Sequence, residues 1–140
     1  MIGALVAGIT GGIPSTIFAL MSGGDVLEPT RAAGAMLISV DSGLIELLGA
    51  AALVHISVSI FWATILAHAL PRHRIVLWST LAASAIAVFD LRVLGQFFPE
   101  VLDLPFWPQF ADHVAWGFTV GAVLEWRLRS RSVQGLKPFT

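Results

Sequence analysis

The chain has 140 residues, 56% of them apolar and only 12% charged, with a mean hydropathy of +0.84 and a net charge of −1. A soluble domain carries about a quarter charged residues, so this composition implies one all-α domain whose surface is meant for lipid, and the weak, scattered charge excludes nucleic acid as a partner. With no cysteine, disulfides, thiolate metal sites, iron–sulfur clusters and a cysteine nucleophile are excluded.

In chain order, four stretches reach the roughly 20 apolar residues that cross a hydrocarbon core of about 30 Å: 2–21, 44–70, 75–98 and 112–128. The expected fold is a polytopic four-transmembrane-helix bundle over 1–128, followed by a short tail, 129–140. The first stretch has no positive flank and is interrupted at Gly11-Gly12-Ile-Pro14, so it reads as a retained helix, with a cleaved signal peptide as the minor alternative. Pro14 bends it, and the hydroxyls of Ser15 and Thr16 are placed to satisfy carbonyls freed at the bend. The connection that follows is long, and its part 29–40 is too apolar for a simple loop. It reads as a short interfacial or re-entrant helix starting at Pro29, since proline suits a first turn.

Spans two and three are joined by the tight Pro71-Arg72-His73-Arg74 hairpin. Arg72 and Arg74 there, with Arg127, Arg129, Arg131 and Lys137 at the other chain end, place six of the eight basic residues on one side of a four-span topology. By the positive-inside rule both termini are cytoplasmic, in a multi-pass protein of the inner (plasma) membrane. The G-x-x-x-G spacings Gly8/Gly12 and Gly117/Gly121 mark close helix contacts, read as contacts within the bundle in preference to a homodimer seam.

Ionisable groups at membrane depth are costly, so each calls for an explanation. Asp90 and Arg92 lie about 22 and 26 Å along the third span and about 200° apart around it, which makes them poor partners for each other. Arg92 reads as an interfacial anchor. Asp90 has apolar neighbours one turn away and needs a partner from elsewhere, either Arg31 or a histidine of spans two or four. It serves either to fix helix register or to relay a proton or ion; an anion or headgroup site on Arg31 or Arg92 is a further alternative. Glu46, Asp112 and His113 lie toward the same outer level, and His55 lies about 16 Å below the start of its span. Glu46 and His55 are nine residues apart, on opposite sides of their helix, so they share a cavity only across a helix irregularity. His55, with Ser59 one turn on, reads as a hydrogen-bonded core histidine, and Asp112 as the N-cap of the fourth span. Glu125 and Arg129 form a one-turn surface pair. No metal or cofactor is expected, and no specific enzyme motif appears.

Gly12-Ile-Pro-Ser-Thr16, Thr30-Arg-Ala-Ala-Gly34, Val54-His-Ile-Ser-Val-Ser-Ile-Phe-Trp62, Asp90-Leu-Arg92 and Pro108-Gln-Phe-Ala-Asp-His-Val-Ala-Trp-Gly117 together resemble a group of small uncharacterised four-helix bacterial membrane proteins. The resemblance implies the four-helix fold and supplies no activity. The functional expectation is therefore a small transport or permeation component, a homo-oligomer or part of a larger membrane complex among lipids, with an outward polar cluster of Asp90, Arg31, His55, His113, Asp112, Glu46 and Arg92. The alternatives are an accessory or scaffold subunit and an intramembrane enzyme acting on an apolar substrate.

Overall fold

The computed structural model describes residues 2–134, with side chains from Val6 to Ser130. Among them every regular element is helical and none is a strand. The first apolar stretch is two helices, α1 (Ile2–Gly11) and α2 (Ile13–Ser22). The break falls at Gly12 because Pro14, in the first turn of α2, has no N–H to continue the ladder. Ser15 Oγ and Thr16 Oγ1 both donate to the Gly12 carbonyl, at 3.3 and 2.7 Å, as the sequence led us to expect. Gly23 ends α2 in the left-handed region at φ 71°, where a side chain would be strained.

The segment expected over 29–40 forms a shorter helix, α3 (Glu28–Ala35), with Pro29 in its first turn. It packs on α4 (Leu44–Ala69) at Gly34, so close that a Cβ there would collide with the Leu47 carbonyl. Beyond the hairpin, α5 (Ile75–Val88) does not continue as a regular helix to 98. It passes into a π-turn at Phe89–Val93 and a 3-10 turn at Leu94–Phe97. A single turn, α6 (Pro99–Leu102), interrupts the third connection. The last helix, α7 (Phe106–Gln134), starts six residues earlier than the expected span and runs past 128 into the expected tail. Lys137 lies outside the described residues.

Among the described residues two helical segments are long and apolar enough to cross a membrane, Leu44–Ala69 and Ile75–Phe97, and Val6–Ser22 is apolar but shorter. Much of α4 is exposed, including Ile45, Leu53 and Phe61. Its inner face contributes Leu66 to a core shared with Ala7 of α1, Ala83 and Ile86 of α5, and Trp116 and Val120 of α7.

α7 is the post of the assembly, with α5, α1 and α2 all packed on it. Thr10 Oγ1 and Thr119 Oγ1 share a 2.9 Å hydrogen bond, and Ser15 bonds to Asp112, so α1 and α2 run antiparallel to α7. Against α5 the approach is set by two glycines. A Cβ on Gly117 would overlap Ala83 Cβ and lie 2.8 Å from the Ser79 carbonyl, and one on Gly121 would lie 2.7 Å from Val76 Cα. The Gly117/Gly121 spacing thus serves contact within the chain. Gly121→Val should force the two backbones apart and lower stability by about 1–3 kcal/mol. Gly49→Ala, with nothing within 4 Å of its new methyl, should raise it by roughly 0.4–1 kcal/mol. Thermal unfolding of the two variants checks the opposite signs.

Candidate functional site

The polar residues of α7 face two neighbours at once, because adjacent helical positions point about 100° apart. Asp112 turns to the α1–α2 break, where its Oδ1 accepts the Ser15 backbone N–H at 2.9 Å. This corrects the sequence expectation. Asp112 is six residues inside α7, so it does not cap that helix. It caps α2 instead, because the break leaves a first-turn donor of α2 without a carbonyl one turn back.

His113 turns to α5. Its Nδ1 lies 2.9 Å from the Gln109 carbonyl; a carbonyl has no proton to give, so Nδ1–H is the donor. Nε2 then faces Asp90 Oδ2 at 3.5 Å, with side-chain exposures of 28% for His113 and 18% for Asp90. Asp90 sits in the π-turn, a local widening of the helix that recurs at functional sites. Since Nδ1 already carries hydrogen, Nε2 is the ring nitrogen that faces the Asp90 carboxyl and could exchange a proton with it.

This pair borders a cleft of about 320 Å³, at the small end of ligand-sized pockets. α4 contributes His55 and Ser59, α3 contributes Thr30, and the glycines of α1 and the α1–α2 break form the floor. His55 hydrogen-bonds to no described residue; it lines the cleft and is not the satisfied core histidine that was expected. Trp116, 8% exposed, closes one wall, and its Nε1–H has no partner among the described residues.

Four of the seven residues singled out in the sequence therefore meet: Asp90, His113, Asp112 and His55. The other three do not join them. Arg31, a candidate partner of Asp90, pairs with Asp25 at 2.6 Å on the surface, because Asp25 lies one loop turn before it and is already fixed by accepting the Leu27 N–H at 2.8 Å. Glu46 accepts the Gly43 N–H at 3.1 Å and caps α4. Arg92 lies 4.5 Å over the Phe106 ring, an aromatic anchor at the end of its helix. Glu125 and Arg129 pair as expected. Sequence reasoning passed over Gln109 and Trp116. Both lie three or four residues from Asp112 or His113, on the same helical face, and that spacing was the available signal.

No group of three His, Asp or Glu among the described residues is placed to hold a metal ion, and none of the described residues lining the cleft is Lys or Arg. The chain matches no family model, no curated protein and no solved structure, so the geometry carries the functional reading.

Two measurements check these contacts. Asp112→Ala removes the acceptor and leaves the Ser15 N–H unpaired, which should cost about 1–3 kcal/mol, whereas Asp112→Asn keeps an acceptor oxygen and most of the stability; thermal unfolding separates them. At the surface, the Leu27 amide and then the Arg31 guanidinium hold the Asp25 carboxyl below its ordinary value. A depressed carboxyl contributes stability above its unfolded pKa and loses it as pH falls through the folded one. The Leu27 amide shift should therefore titrate below the ordinary Asp range, and Asp25→Asn should abolish that titration.

Proposed function

We propose that the chain is a multi-pass protein of the inner (plasma) membrane with four spans, the first built from α1 and α2 in series, and that its cleft is the proton-carrying centre of a small transport or permeation component. The observation that carries this reading is the Asp90–His113 pair at the wall of an open cleft. An acid and an imidazole in contact pass one proton between them with little change in net charge, and intramembrane carboxylates of this kind mark proton and ion paths. The exposed apolar faces of α4 and of the segment Ile75–Phe97 support membrane embedding. Arg72 and Arg74 precede α5 while Arg127 and Arg129 follow the Gly117/Gly121 contact on the antiparallel α7, so these four cluster at one end, which supports a cytoplasmic location for that end and for both termini. The cleft is too small to traverse the chain, so in this reading the path is completed between copies in an oligomer.

A second reading, an accessory or scaffold subunit, is favoured by one fact: Asp90 finds its partner inside its own chain, as a register-fixing pair does. Purified protein reconstituted in vesicles with an internal pH dye separates the two. Transport predicts dissipation of an imposed pH gradient that Asp90→Asn reduces about tenfold or more at unchanged helix content, by analogy with removal of an acid–base group. A wild-type protein without flux, or a variant with undiminished flux, overturns the transport reading. An Asp90→Asn chain that no longer assembles, with an inert wild type, supports the scaffold.

A further inference from the structure

The groups around the cleft discriminate among ligands. An anion finds no Lys or Arg among the described lining residues, and the two arginines nearest in sequence are engaged elsewhere, Arg31 with Asp25 and Arg92 over Phe106. A metal ion finds no three converging ligands among the described residues. What the cleft does offer is the Asp90 carboxylate, the neutral oxygen-bearing side chains of Thr30, Ser59 and Gln109 and an aromatic wall at Trp116, which is more than nine-tenths buried. A carboxylate, neutral oxygens and an indole together are the recognition set for a weakly hydrated organic cation.

We propose that the cleft binds a small organic ammonium ion in exchange for the proton of the Asp90–His113 pair, a deepening that rests on the proton-carrying reading above. The exchange balances in charge. The pair with one proton is neutral overall; the ammonium takes the place of that proton beside Asp90, His113 remains as the neutral imidazole with its Nδ1–H on Gln109, and one H⁺ leaves. The titratable groups facing the pair are His55 from α4 and Asp112 from α7, the latter engaged with Ser15. α1 and the α1–α2 break present glycines to the cleft, and α3 presents Thr30.

The test uses the full chain in nanodiscs and calorimetry with butylammonium chloride, sodium chloride and sodium acetate, in two buffers of different ionisation enthalpy. Butylammonium is expected to bind while sodium and acetate do not, with buffer-dependent heat reporting about one proton released and affinity rising about tenfold per pH unit while the pair is protonated. Asp90→Asn should weaken binding about ten- to hundredfold, the loss of a charge-assisted contact. Asp90→Glu, which keeps the charge, should restore most of it, and Arg31→Gln, outside the cleft, should leave it unchanged. Acetate binding as well as butylammonium, or butylammonium binding with no proton released, overturns the proposal. Absence of butylammonium binding with an Asp90-dependent proton flux intact overturns this proposal alone; absence of both overturns the proton-carrying reading as well.

Discussion

The close approach of α5 and α7 is the constraint on which the site depends. Gly117 and Gly121 leave no room for a Cβ against Ser79, Ala83 and Val76, so the antiparallel register of these helices is fixed to within a fraction of a turn. That register brings His113, one turn before Gly117, to the level where Asp90 emerges two turns beyond Ala83. In the membrane setting proposed above, helices would gain little from burying apolar surface against each other, and close backbone contact would supply both attraction and specificity. The glycine seam is therefore both the packing device and the ruler that sets an acid against an imidazole.

Two backbone irregularities flank the cleft, and adjacent residues of α7 reach both. Asp112 satisfies the first turn of α2 after the Gly12 break, and His113 meets Asp90 in the π-turn. Irregular backbone in an apolar environment persists where side chains or a cavity take over the hydrogen bonds that a continuous ladder would make. Here a carboxylate does so at one break, and serine and threonine hydroxyls share the Gly12 carbonyl beside it. Gly8 and Gly11 of α1 and Gly12 at the break line the cleft beside them.

The helical class, the bend at Pro14, the helix starting near Pro29, the within-chain use of Gly117/Gly121 and the pairing of Asp90 with a histidine of the last span were all readable from residue type and spacing. These features act locally or through a single helical face. Arg31 and Asp112 were misplaced for the opposite reason: their partners were decided by chain path. Asp25 is near Arg31 only once the loop before α3 turns back, and Asp112 reaches Ser15 only because α1–α2 lies antiparallel along α7. The start of the last helix was missed because hydropathy locates apolar stretches, whereas Phe106-Trp107-Pro108-Gln109 is a helical entry of mixed polarity. The π-turn has no sequence signature of its own; a regular helix and a widened one share the same apolar spacing up to Val88.

The two carboxylates that meet at the cleft differ in what remains available to a ligand. Asp112 accepts a backbone hydrogen that only the break in α1–α2 exposes, and removing it costs structure. Asp90 faces only the His113 Nε2, at 3.5 Å, since Gln109 already occupies the other ring nitrogen. In the proton-carrying reading proposed above, the pair with one proton is neutral in either arrangement, and taking that proton away would leave a net negative charge beside apolar helix faces. Under that proposal the two favoured occupancies are neutral, the proton or a cation in its place, and the empty anionic state between them is disfavoured. A site with the proposed preference would couple the departure of one positive species to the arrival of another.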